Sequence, residues 1–190
     1  MSRGVQIGLR DVHFARLLTD VVGVGVTYAA PVPIIGAITA NINPNASTET
    51  LFADDGPMQV ATALGKIELE LNIAELPLGI QATLLGHAAM VAGEIVLNAN
   101  DVPPFVALGF RSLKSNGNHR FVWLLKGRFV VPEQSHETRA DSITFSTPTI
   151  MGSFVKRDFD DRYQIIGDED EVGFVRTGWF TAARIAAPRV

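Results

Sequence analysis

Histidine is the side chain that most readily binds a metal or moves a proton near neutral pH. His13, His87, His119 and His136 stand far apart, without metal-ligand spacing, and His119 falls in a turn. They read as surface or cap residues. The carboxylates of Asp54-Asp55 and Asp158-Phe159-Asp160-Asp161 suggest a divalent cation. Neither run has the alternating oxygen ligands and closing glutamate of a calcium loop, so both read as turn-forming acids. Gly23-Val24-Gly25-Val26-Thr27 opens like a dinucleotide fingerprint but lacks the third glycine and a following helix. There is no Gly-x-Ser-x-Gly elbow and no Ser/His/Asp set. The absence of cysteine removes disulfides and thiolate metal sites. This inventory points away from an enzyme, a metal and a cofactor. It directs attention to surfaces and assembly.

The elements that shape those surfaces are mostly strands. Lys66-Ile67-Glu68-Leu69-Glu70-Leu71-Asn72-Ile73 alternates without a break, so one face carries Ile67, Leu69, Leu71 and Ile73 and the other Lys66, Glu68, Glu70 and Asn72. From Ile34 to Asn43 a second half-wet strand sets Ile38, Ala40 and Ile42 against Thr39, Asn41 and Asn43. Between them, Pro44 to Pro57 is rich in Asn, Ser, Thr, Asp, Gly and Pro and reads as a long loop. Val21 to Val26 reads as an edge strand or a flexible arm. Residues 77–86 read as the one short amphipathic helix, opened by Pro77 and closed by Gly86. Phe105 to Lys114 and Arg120 to Phe129 form a hairpin across Asn116-Gly117, and Arg120 to Leu125, apolar on both faces, belongs between two layers. Ile143, Phe145 and Thr147 mark a further strand stopped by Pro148. The tail from Asp158 holds the acidic run Asp168-Glu169-Asp170-Glu171, read as a solvated loop, and then Trp179-Phe180. These two aromatics are expected to dock on their own sheet or a neighbour's, against the alternative of a frayed terminus.

The 190 residues suit one domain spanning 1–190, mainly β with one short α-helix, built as a sandwich or a partly open barrel. Hydrophobic residues make up 47% and charged residues only 19%, against about a quarter in ordinary domains, which favours an oligomer over a well-buried monomer. Net charge is −4 and the basic residues are scattered, which argues against tight nucleic-acid binding. No apolar stretch reaches membrane-span length and no signal sequence precedes the first strand, so Asn45-Ala46-Ser47 carries no weight as a glycosylation pattern.

Several segments resemble the major tail tube proteins of long-tailed, non-contractile bacteriophages. They are Gly8-Leu9-Arg10-Asp11, Glu49-Thr50-Leu51-Phe52-Ala53-Asp54-Asp55-Gly56-Pro57, Leu64-Gly65 with the alternating strand, Leu85-Gly86-His87, Pro103-Pro104-Phe105 through Asn116-Gly117, and Phe145-Ser146-Thr147-Pro148-Thr149-Ile150. None is a functional motif by itself; the weight lies in their order along most of the chain. The resemblance implies a structural protein of the virion tail, made in the host cytoplasm, whose hexameric rings stack into a hollow tube. The inner sheets of neighbours join around a lumen through which DNA passes without tight binding, and tape-measure and tail-terminator proteins are the expected partners. Under it, Thr39, Asn41, Asn43, Lys66, Glu68, Glu70 and Asn72 are candidate lumen-facing residues, with bulk solvent as the open alternative. Glu68 and Glu70 outnumber Lys66, which implies a negative bore. Asn45, Ser47, Thr48, Glu49, Asp54, Asp55, Gly56 and Pro57 are candidate inter-ring loop residues, and Trp179 and Phe180 belong to an assembly-prone tail at about 158–190. Two rivals are the inner tube of a contractile injection or secretion machine and a small β-sandwich that binds a ligand.

Overall fold

Ile67, Leu69, Leu71 and Ile73 are all buried, while Lys66, Glu68 and Glu70 between them are exposed. That strand anchors the architecture. The computed structural model describes residues 3–53, 55–134 and 147–187. Its elements are β1 (Gln6–Val21), β2 (Gly25–Tyr28), β3 (Val32–Ile34), β4 (Ala37–Ala53), β5 (Gly56–Ile73), α1 (Leu78–Leu85), β6 (Val106–Lys114), β7 (His119–Phe129), β8 (Thr149–Val155), β9 (Gln164–Asp168) and α2 (Ala182–Ala186). The fold is mostly β, with one antiparallel sheet that is not closed. Strands run in the order β2-β1-β6-β7-β8-β5-β4, with β3 added to β1 and β9 to β7. β1 and β4 come near each other without pairing, which makes the sheet a partly open barrel.

The inside of that curl is one core. Val12 and Phe14 of β1, the four apolar residues of β5, Leu108 and Phe110 of β6, Phe129 of β7 and Phe154 of β8 pack together, and α1 adds Leu84 and Leu85. Each such side chain contributes about 1.5–3 kcal/mol on burial. α1 follows Pro77 and ends at Gly86, whose φ of 74° is left-handed and where a side chain would collide with the Val102 carbonyl. β7 is buried on both sides. Val122 and Leu124 enter the first core, whereas Phe121, Trp123 and Leu125 enter a second one on the outer face. The sheet also forks along β7: Arg120 to Leu124 pair with β9, and Lys126 to Phe129 pair with β8.

Three expectations need correction. Pro44 to Ala53 is not loop but the continuation of β4, paired with β5 from Ala46↔Leu64 to Ala53↔Gly56. Thr48, Thr50, Val60 and Thr62 are β-branched and suit a strand, but only the facing partner provides the ladder. Ile38 does not share the buried side with Ala40 and Ile42: a bulge between Ala37 and Thr39 turns it outward, and it is exposed. A second helix, α2, lies in the tail, where Thr181 Oγ1 accepts a hydrogen bond from the Arg184 amide. Asp54, His136, Ile143 and Phe145 lie outside the described residues.

Candidate functional site: a wet sheet face, an arm and a tail

The polar residues of β4 and β5 meet side by side. Thr39 pairs with Asn72, Asn41 with Glu70 and Asn43 with Glu68. β8 extends the rows: Asn72 faces Thr149, Glu70 faces Met151 and Glu68 faces Ser153. Residues opposite in an antiparallel ladder share a face, so the candidate lumen residues of both strands form one surface. Asn72 Nδ2 donates to Thr149 Oγ1 at 2.9 Å. Lys66 Nζ lies 2.7 Å from Glu68 Oε1, and hydrogen bonds from Lys66 and then Asn45 hold that carboxyl below its ordinary value. The surface is hydrated, and Met151 and Val155 lie exposed among its polar groups.

The sheet adds a charge to this face that the sequence reading did not include. Ser153 is itself opposite Arg128 of β7, which completes a row Asn43, Glu68, Ser153, Arg128. Arg128 thus adds a second cation to Lys66 beside Glu68 and Glu70 on this face. Sequence reasoning missed Arg128 because β6 and β7 lose register between Val106 and Leu108, where Gly127 and Leu124 are the partners. That irregularity moves Lys126 and Arg128 to the outer side, and strict alternation from Val122 gives no hint of it.

Past Pro44 the same hairpin leaves the body as an arm. Asn45, Ser47 and Glu49 continue the polar edge of Asn41 and Asn43, while Thr48 stands on the opposite side with Thr50 and Phe52. The two candidate sets therefore lie on one hairpin, β4 with β5. At about 3.4 Å per residue, the stretch from Asn45 to Ala53 is about 30 Å long. Residues 45–52 are exposed on both faces, with Phe52 at 70% and Met58 on the return strand at 73% exposure. Asp55 sits at the tip in the left-handed region, with Gly56 and Pro57 starting the return strand.

The tail folds the other way, back onto the outer face of the sheet. Trp179 is 1% exposed and packs 5.4 Å from the rings of Phe121 and Phe174. Gly167 of β9 leaves room for Phe174 and Trp179, where any side chain would collide with both. Phe180 stacks on His13 at 4.3 Å and meets Trp123 edge-on at 5.8 Å. Trp123 Nε1 donates to the Trp179 carbonyl at 3.1 Å. Buried Arg157 forks onto Asp160 at 2.5 and 2.6 Å and donates to the Ile185 carbonyl at 2.9 Å, so it ties α2 down.

The acidic run is not a solvated loop. Lys114, 3% exposed at its side chain, reaches Asp168 at 2.6 Å and also Asp170, and Asn116 and Asn118 donate to Asp170 at 2.8 and 2.5 Å. Glu169 accepts from the His119 amide at 2.7 Å. Burial pushes the Asp168 carboxyl up, but hydrogen bonds from Lys114, the Asp170 amide and Arg120 outweigh it and hold it low. Asp170 is held well below the carboxylate range by Lys114 first and Asn118 next. The same two aspartates raise Lys114. The sequence signal for this latch is Lys114 just before the Asn-Gly turn, which has no meaning until β9 is placed beside β7.

No family model matches the chain, and no curated protein matches it. Among the described residues there is no group of three or more His, Cys, Asp or Glu that could hold a metal ion, and no helix is long and apolar enough to cross a membrane.

Proposed function

We propose that this chain is the repeating subunit of a hollow tube of the phage-tail type, in which hexameric rings stack and DNA passes along the wet face of β4, β5 and β8. The observation that carries this reading is the arm. A two-stranded hairpin exposed on both faces is marginal by itself, and Leu51, Phe52, Met58 and Val60 are left in water. Contact with the next ring would cover them. The free edge of β4 at one side of the sheet and β2 at the other support side-by-side joining, and such head-to-tail contacts close rings or extend filaments. A polar face that mixes cations with carboxylates suits DNA that must slide rather than stick. Tape-measure and tail-terminator proteins are the proposed partners at the bore and the end of the tube.

Negative-stain microscopy of concentrated protein tests the reading. Wild type is expected to form tubes with a central channel. A variant in which residues 48–62 are replaced by Asn-Gly, joining Ser47 to Ala63, is expected to stay folded and form no tubes. Tubes of normal appearance from that variant would remove the arm from assembly, and a wild type that stays monomeric at every concentration would remove the proposal.

A further inference from the structure

Among the described residues, the cations around the wet face are neutralised, with one exception. Lys66 lies on Glu68, Lys126 holds Asp20 at 2.7 Å and Asp158 at 2.8 Å, and Lys156 holds Asp161 at 2.5 Å. Arg128 is exposed and has no carboxylate partner among the described residues. Glu68 stands two strands away in the same row, about 10 Å at the usual strand spacing, and pairs with Lys66 instead. Arg128 is nevertheless held in place: its guanidinium carbon lies 3.9 Å from the centre of the Phe105 ring, which also carries Lys126 at 5.0 Å.

Stacking on an aromatic ring engages the flat side of a guanidinium and leaves its N–H edge available. That edge is a planar fork that matches phosphate better than a lysine can. The geometry points to Arg128, seated on Phe105, as a contact for nucleic-acid phosphate on the wet face; this rests on the reading that DNA passes along that face. Repeated once per subunit and separated by Glu68 and Glu70, such a contact is a weak, evenly spaced touch point instead of a gripping patch. Lys126 belongs to the seat rather than the contact, because Asp20 and Asp158 satisfy its charge.

Two measurements separate this inference from the tube reading. In the first, isotope-labelled protein is titrated with inorganic phosphate at constant ionic strength, and the Arg128 Nε–H signal is identified by its loss in Arg128→Gln. Its shift is expected to saturate and to exceed that of exposed Arg16 by about threefold; Phe105→Leu lowers the response, and Arg128→Lys does not restore it. A response no larger than that of Arg16 overturns the site whether or not tubes form. In the second, tubes are polymerised around a labelled duplex of about 20 base pairs and its release is followed against salt. Arg128→Gln tubes are expected to release it several-fold faster at low salt and with a flatter salt dependence. Unchanged release from intact variant tubes overturns the contact with DNA. An Arg128 signal that shifts on assembly before duplex is added assigns the residue to a subunit contact and overturns it equally.

Discussion

The arm and the tail are the two segments whose composition marks them for assembly, and the fold treats them in opposite ways. The tail carries Trp179, Phe180 and Ile185 and finds a seat for each on its own sheet, with Arg157 and Lys114 as ionic fasteners. The arm carries Leu51, Phe52, Met58 and Val60 and finds nothing among the described residues to cover them. The difference lies in what faces each segment. β9 and the outer side of β7 offer the tail a floor that includes Phe121 and Trp123, whereas β4 and β5 beyond Pro44 pair only with each other among the described residues. A segment rich in apolar residues is thus an internal cover in one case and an unmatched surface in the other.

The largest test of that contrast removes the tail's anchor. Trp179→Ala should cost about 3–5 kcal/mol, as for other large buried aromatics. The truncated-arm variant should stay within about 0.5 kcal/mol of wild type in the same thermal unfolding series. Comparable losses would mean that the arm is packed and the contrast is false. Next in size is Arg157→Met, which removes the two-bonded partner of Asp160, leaves it the longer Arg162 contact at 3.4 Å, and should cost about 3 kcal/mol. Adding Asp160→Asn should recover part of the loss; no recovery would assign the effect to packing of the arginine stem.

Acid should open the tail and leave the arm indifferent. The folded-state values of Asp168 and Asp170 lie below their unfolded ones, so their contribution is complete above about pH 4 and falls away as pH drops through the depressed values. Lys114 is raised, so its contribution is complete below about pH 10 and is lost at higher pH. The emission of Trp123 and Trp179 should therefore shift to the red only at the acid and alkaline ends. The truncated-arm variant should follow the same curve, and a displaced curve would couple the two segments. The smallest expected change in stability is for Val60→Ser with Leu64→Ser on the arm, within about 0.5 kcal/mol. Tube yield should nevertheless fall sharply, and normal yield would show that this side of the arm meets no neighbour.

Much of the root of the hairpin is legible from residue order. The burial of Ile67, Leu69, Leu71 and Ile73 follows from a period of two, and the helix at 77–86 and the turn at Asn116-Gly117 follow from proline and glycine in fixed roles. Ile38 is misread and Arg128 is missed for one shared reason. A bulge inserts or removes a residue from the alternation, and it depends on how two strands meet rather than on either strand alone. The loop at 44–57 is misread because its polar composition hides a ladder whose other rail, Met58 to Ala63, carries no strict alternation of its own.

By itself, the order of residues determined the chemistry of each strand: which side chains share a face wherever the alternation is unbroken, where the chain turns, and that the chain holds no thiol. Tertiary structure decided what those faces meet. It brought Thr39, Asn41 and Asn43 beside Asn72, Glu70 and Glu68, placed Arg128 in their row, and pinned the acidic run with Lys114. The division has a physical cause. Side-chain direction is a local property of the backbone, whereas partners in a sheet are fixed by the sum of burial and hydrogen bonding across strands up to about a hundred residues apart.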